Sequence, residues 1–178
     1  WFYESSPATI PSGSYTGNTS DVIYVYTVSI TANETWGNHG VPYLFLQGLG
    51  IGHATNPTLT LAPGVVFKFA PGGLLAVGSL APGNLRALGT VAEPIVITGQ
   101  YGTGSWGGAV VSSYADATTL FENVVMDGGA FEVQRDIGPV IRNTLTKNSG
   151  GCAITRASGT PWTTDFTAPA LANTFQNN

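Results

Sequence analysis

The chain has 178 residues, a formal net charge of −4 and only six lysines and arginines. That length suits one domain or one elongated module, and so few cations leave no basic stripe for nucleic-acid phosphates or an anionic membrane surface. Charged residues make up 9% and hydrophobic residues 43%, which excludes a disordered polar chain, and no apolar run reaches the ~18 residues of a membrane-spanning helix.

Glycine (24) and proline (11) interrupt nearly every window of ten residues, without a collagen period. Helix signals are therefore scarce, and short runs of Val, Ile, Leu, Thr and aromatics recur between turn residues. The single Cys152 excludes a disulfide framework and a Cys-rich zinc site. Its Ala153 and Ile154 neighbours predict a small, buried, unpaired core residue. The chain opens on Trp1 without Met, so the expectation is a removed leader or a piece of a longer protein.

Taken in chain order, residues 1–27 read as an N-terminal arm or linking strand and residues 28–178 as one β domain. The predicted strands are Val22–Ile30, Tyr43–Leu49, Thr58–Leu61, Val65–Phe69, Leu74–Val77, Leu85–Ala87, Ile95–Thr98, Ala109–Ser112, Thr119–Val125, Val140–Ile141, Thr144–Thr146, Ala153–Thr155 and Ala172–Phe175. No room is left for crossover helices. An antiparallel sandwich and a parallel β-helix both suit such a string.

Internal repeats favour the second. Leu61-Ala62-Pro63-Gly64 returns as Leu80-Ala81-Pro82-Gly83, Glu122-Asn123-Val124-Val125 is echoed by Arg142-Asn143-Thr144-Leu145, and Asn143-Thr144-Leu145 by Asn173-Thr174-Phe175. These offsets of 19, 20 and 30 suit a coil of about twenty residues, with the segment from Arg156 to Pro169 inserted in one longer step. The Asn-Gly turns expected of hairpins do not occur. Val66, Leu75, Val96, Val110, Val124 and Ile154 are candidates for inward ladders, in a register open to a slip of one residue. The recurring asparagines read either as a stacked amide ladder or as turn asparagines. Pro63-Gly64 and Gly89 read as tight turns, Gly107-Gly108 as a close approach between coils, and Trp36 and Trp106 as packing anchors, with sugar stacking as the second reading.

Several stretches in order resemble a known family. They are Ile30-Thr31-Ala32-Asn33-Glu34-Thr35-Trp36, then Leu59-Thr60-Leu61-Ala62-Pro63-Gly64-Val65-Val66-Phe67-Lys68-Phe69, then Glu93-Pro94-Ile95-Val96-Ile97-Thr98, then Ser105-Trp106-Gly107-Gly108. The sequence is similar to the right-handed parallel β-helix modules of secreted and cell-surface bacterial and archaeal proteins, from Val28 to Asn178. The resemblance implies an all-β, single-stranded right-handed parallel β-helix and an extracellular address. It implies no particular activity.

Chemistry is thin. His39 and His53 lie in loops without a metal-spaced partner, and no nucleophile elbow or phosphate-binding loop is present. Asp116, Glu122, Asp127, Glu132 and Asp136 cluster with Arg135 over one coil. Paired carboxylates facing one cleft would mark a glycosidase, whereas solvated loop charges are the plainer reading. Trp106, Tyr114, Asp127 and Arg135 are candidate glycan contacts, with Tyr101 and Trp162 as further aromatic surfaces. Asn18 and Asn33 open glycosylation sequons. The apolar arm and the last strand supply candidate assembly residues: Trp1, Phe2, Tyr3, Val22, Tyr24, Tyr26 and Phe175. The expectation is an extracellular structural module, a self-assembling subunit of a surface fibre, sheath or adhesin, with no cofactor, no nucleic-acid partner and no membrane insertion. The alternatives are a carbohydrate-active enzyme fragment and a glycan-binding module.

Overall fold

A computed structural model describes residues 3–4, 7–11, 13–26, 28–102, 106–157 and 161–178. Its strands begin with β1 (Tyr3–Glu4), β2 (Ile23–Val25), β3 (Ser29–Ile30), β4 (Glu34–Trp36), β5 (Tyr43–Phe45), β6 (Leu49–Ile51) and β7 (Thr58–Leu61). The middle of the chain adds β8 (Val66–Phe69), β9 (Leu75–Val77), β10 (Asn84–Leu88), β11 (Ile95–Gly99), β12 (Ala109–Val111) and β13 (Leu120–Glu122). The last are β14 (Val124–Asp127), β15 (Phe131–Val133), β16 (Ile141–Arg142), β17 (Leu145–Lys147), β18 (Ile154–Arg156) and β19 (Thr174–Gln176). Among the described residues the only helical pieces are two single 3-10 turns, Pro7–Thr9 and Pro169–Leu171.

The strands form three sheets, and every strand pair is parallel. The first sheet runs β1-β2-β5-β8-β11-β14-β17-β19, the second β3-β6-β9-β12-β15-β18 and the third β4-β7-β10-β13-β16. From β2 to β18 the chain visits the three sheets in strict rotation, so each circuit lays one strand on each. A parallel partner needs a connection long enough to bring the chain back to the same end, and here the other two sheets supply it.

The step between partners varies. Ile23 faces Tyr43 and Val125 faces Leu145, steps of 20, but Tyr43 faces Phe67, Val66 faces Val96, Ile95 faces Val124 and Leu145 faces Thr174, steps of 24, 30, 29 and 29. The expected twenty-residue period therefore holds in two circuits and is exceeded in the others, where loops swell at the corners. Two of the sequence repeats are not stacking positions. Leu61 aligns with Ala87, while Leu80 sits 95% exposed in a loop. Asn143 aligns with Ala172, not Asn173, because Leu145 faces Thr174. The echo between Asn123 and Asn143 is structural, since Val125 faces Leu145.

Alternation within these short strands sends one set of side chains inward. In the first sheet the inward column is Ile23, Tyr43, Phe67, Ile97, Met126 and Thr146, all buried, and it reaches Phe175. In the second it is Leu49, Leu75, Ala109, Phe131 and Ile154. In the third it is Trp36, Leu61, Ala87, Phe121 and Ile141. Leu75 and Val124 are inward as expected. Val66, Val96 and Val110 are corrections: they stand half-exposed on the outer faces, and the buried residues are their neighbours Phe67, Ile95 and Ile97, and Ala109 and Val111. A run of apolar residues on both sides of a short strand hides which parity is buried.

The upper circuits are filled by aromatic rings. Trp36 lies 5.4 Å from Tyr43, 6.0 Å from Phe45 and 5.5 Å from Phe67, Phe45 stacks on Phe69 at 4.7 Å, and Phe69 stacks on Trp106 at 5.2 Å. Such pairs contribute roughly 0.5–1.5 kcal/mol each beyond area burial. Trp36 and Trp106 are thus packing anchors, both buried. Trp106 Nε1 donates to Asp127 O at 3.0 Å and Trp36 Nε1 to Glu34 Oε2 at 2.8 Å.

Corners are set by residues with left-handed backbone. Asn123, Asn143 and Ala172 stand at the same corner of successive circuits with φ of 51°, 49° and 49°. The side chains of Asn123 and Asn173 donate to backbone carbonyls, at Gly89 and Ile141, so these asparagines act as corner residues and not as a ladder of amides. Gly64 turns at φ 74° as expected. Gly89 does not: its glycine is required because a Cβ would collide with the carbonyl of Asn123 in the next circuit.

Cys152 is exposed, against expectation. It sits in the loop before β18, where Gly150 and Gly151 carry the chain outside the inward column.

Thr146 is 0% exposed and, among the described residues, its Oγ1 is the buried side-chain oxygen without a hydrogen-bond partner. Thr146→Val keeps the shape and removes the unpaired hydroxyl. It is expected to stabilise the fold by about 1 kcal/mol, read as a higher urea midpoint at unchanged slope. Ala172 holds its left-handed conformation without the tolerance of Gly or Asn. Because that conformation costs an L-residue roughly 1–2 kcal/mol, Ala172→Asn at this exposed corner is expected to raise the thermal midpoint, and an unchanged midpoint counts against the assigned corner geometry.

Candidate functional site

The acidic cluster is dispersed around the stack. Asp116 accepts from Thr118 N and Oγ1 at 2.8 and 2.7 Å and from Asn56 Nδ2 at 2.7 Å, and these bonds hold its carboxyl below the ordinary range. Glu122 pairs with Arg142 at 2.9 Å on the outer face of the third sheet. Asp127 pairs with Lys147 at 3.2 Å on the outer face of the first sheet and accepts from Asn148 Nδ2 at 2.9 Å. Glu132 accepts from Gln134 on the outer face of the second sheet. Asp136 lies beyond that strand. These carboxylates thus occupy all three faces and two corners.

Asp136 has the densest set of donors. Its Oδ2 accepts from Thr163 N (2.6 Å), Thr163 Oγ1 (2.9 Å) and Thr164 N (3.1 Å), and its Oδ1 from Thr164 Oγ1 (2.6 Å) and Gly138 N (3.1 Å). The Thr164 hydroxyl and the Thr163 amide are the largest of the influences that hold its carboxyl far below the ordinary range. The clamp fastens the long segment after β18 to the circuit above it. Phe166 of that segment enters the core and Asn173 ties it to Ile141 O and Phe166 O. The sequence offered Thr163-Thr164 and Asp136 without a sign that they meet across 27 residues.

The glycan candidates divide. Trp106 is buried on Phe69. Its indole reaches the backbone of Asp127, whose side chain is on the first sheet. Tyr114 is 57% exposed, and Arg135 Nη1 donates to Ser113 O beside it at 3.0 Å. The four residues therefore form two separate pairs and not one surface. Tyr101 is 76% exposed on another loop. Trp162 lies under the Arg156 guanidinium at 5.4 Å, in a cavity of about 470 Å³ whose walls include Thr164, Asp165, Phe166 and Phe175.

Asn18 is exposed in the loop before β2, with its amide donating to Tyr15 O at 2.9 Å. Asn33 is exposed, and its Oδ1 accepts from Thr58 N at 2.8 Å. Of the assembly candidates, Trp1 and Phe2 lie outside the described residues. Tyr3 is in β1, paired in parallel with Tyr24 of the same chain. Val22 and Tyr24 are half-buried, Tyr26 is 50% exposed, and Phe175 is half-buried in β19. The intervening Ile23 and Val25 are core residues.

His39 sits edge-on to the rings of Tyr15 and Tyr43 at 5.5 and 6.1 Å, and partial burial lowers its pKa. Burial pushes the Tyr43 phenol up, with its hydroxyl donating to Gly37 O at 2.7 Å. His53 Nδ1 lies 3.1 Å from Thr55 Oγ1 in an exposed turn. Among the described residues no group of three or more His, Cys, Asp or Glu side chains is placed to hold a metal ion, and no helix is long and apolar enough to cross a membrane. Comparison of the chain with protein-family models, curated proteins and solved structures gave no match.

The Asp136 clamp has a pH signature. A carboxyl whose folded pKa is depressed contributes stability above the ordinary aspartate value of about 3.9, and that contribution is lost as pH falls toward the folded value. Hydrogen exchange is expected to show residues 161–173 losing protection below about pH 4 before the sheets do. Asp136→Asn is expected to show that loss already at neutral pH. Equal protection in variant and parent would exclude the clamp.

Proposed function

We propose that the chain is a right-handed, single-stranded parallel β-helix serving as a non-catalytic structural module of an extracellular or cell-surface fibre, sheath or adhesin. The rotation of the chain through three parallel sheets supports the architecture, and parallel crossovers are right-handed in about 98% of cases. The observation that carries the functional reading is the use made of the polar side chains. Asn56–Asp116, Arg142–Glu122, Lys147–Asp127, Arg86–Thr118 and Asp136 with Thr163 and Thr164 each join different circuits. Buried Asn84 reaches Thr58 on one side and Thr118 and Thr119 on the other. Side chains that in an enzyme would converge on one cleft are here distributed as ties along a rigid stack.

Self-assembly is part of this reading. Tyr26, Val28 and Leu46 are 50%, 51% and 45% exposed at the corner between the first and second sheets. An apolar ridge of this kind favours association over solution as a monomer. A glycan-binding role is the second reading, favoured by the Trp162–Arg156 cavity.

Sedimentation and negative-stain microscopy of the full chain at high concentration test the proposal. Oligomers or filaments are expected, and Tyr26→Glu with Leu46→Glu should return a folded monomer with an unchanged far-ultraviolet spectrum. A parent protein that stays monomeric throughout would refute assembly. Saturable binding on a glycan array that disappears with Trp162→Ala would favour the second reading.

A further inference from the structure

Two of the six cationic side chains line one lateral cleft. Arg86 of β10 and Arg142 of β16 border a depression of about 200 Å³ on the outer face of the third sheet. The strand β13 runs between them, placing Leu120 beside Arg86 and Glu122 beside Arg142. Besides the arginines, Leu120, Ile137, Pro139 and Val140 give the cleft apolar walls and Thr118 and Thr119 polar ones. Alternation puts Leu120 on the outer face, since its neighbour Phe121 points inward, yet Leu120 and Val140 are only 8% and 2% exposed. The loop carrying Ile137 and Pro139 folds over the sheet and makes this apolar surface concave.

Both arginines keep donor capacity. Arg86 commits Nη1 to Thr118 O at 2.7 Å, and Arg142 commits Nη2 to Glu122 Oε2 at 2.9 Å. A guanidinium carries five N–H donors in a planar fork. Those two bonds also fix where each fork sits. No acidic residue lines the cleft itself, but Glu122 pairs with Arg142 and Asp116 accepts from the lining residue Thr118, so the two guanidinium charges are offset in their immediate surroundings.

We propose that this cleft binds a carboxylate carried on a compact saturated ring, of the size of a single hexuronate unit. The planar fork of arginine matches the two oxygens of a carboxylate. With two guanidinium groups offset by Glu122 and Asp116, the cleft suits a monoanion better than a doubly charged phosphate. Ile137 and Pro139, the more exposed apolar residues of the cleft, suit the C–H face of a ring, and the volume admits one ring. The cleft lies on the outer face of the third sheet, whose last strand is β16, and none of its lining belongs to the Tyr26, Val28 and Leu46 ridge, so it does not depend on the assembly proposed above.

Titration of the isotope-labelled full chain with glucuronate tests this, followed by the methyl signals of Leu120, Ile137 and Val140. Glucose and the uncharged methyl ester of glucuronate serve as controls. Saturable shifts with glucuronate are expected, at least five-fold weaker in Arg86→Gln. Glu122→Gln removes the neighbouring negative charge and is expected to bind several-fold more tightly, an outcome that a purely structural role of the ion pair would not produce. Equal binding of glucose or of the ester, unchanged affinity in Arg86→Gln, or no saturable shift with glucuronate would overturn the proposal.

Discussion

Every other feature of this molecule depends on parallel pairing between circuits. A strand of three residues has almost no stability of its own. It becomes stable when the strand one circuit before and the strand one circuit after both bond to it in the same register. That register then dictates which side chains face inward, so Ile23, Tyr43, Phe67, Ile97, Met126 and Thr146 share one column. A side chain in such a column meets the same column position above and below, and size must be matched along the stack. Along this column the large rings of Tyr43 and Phe67 give way to Ile97, Met126 and Thr146, and in the lower circuits Phe121 and Phe131 fill the interior from the other two sheets.

The polar side chains answer a second demand of the same geometry. At each corner the chain leaves one sheet and enters the next, and its backbone groups lose their ladder partners. Asn123 and Asn173 satisfy carbonyls at these places, and Asn33 receives the amide of Thr58. Left-handed residues make the bend. Where the corner is crowded by the neighbouring circuit, as at Gly89, glycine is needed for room and not for φ.

Much of the fold was legible because the strand residues carry a strong β signal. The runs Thr58–Leu61, Ile95–Thr98 and Ala109–Ser112 match β7, β11 and β12 within one residue at each end. The long runs Val22–Ile30 and Thr119–Val125 each hold two strands, because a corner such as Asn123 interrupts pairing without interrupting apolar character. Glu34–Trp36 and Phe131–Val133 were missed, since each shows only one or two inward apolar residues and its partners lie on other circuits. Parity was unreadable at Val66, Val96 and Val110 because apolar residues stand on both faces of those short strands. The side-chain groupings were the least legible. Asp136 meets Thr163 and Thr164 only because a corner loop and a later segment lie against each other, and Arg86 and Arg142 share a cleft only through the pairing of β13 with both of their strands.

The unequal steps of 20 to 34 residues between paired positions carry a consequence for how such a chain tolerates change. Each pairing involves only the circuits directly before and after. A loop that grows at one corner therefore shifts numbering but moves no other strand out of line. The closure cost of a longer loop rises only with the logarithm of its length. The corners between β9 and β10, β11 and β12, and β12 and β13 already carry such expansions, while the strands beside them keep three to five residues. Insertions are thus absorbed locally, and the lateral surface can be rewritten one corner at a time while the stacked interior stays as it is.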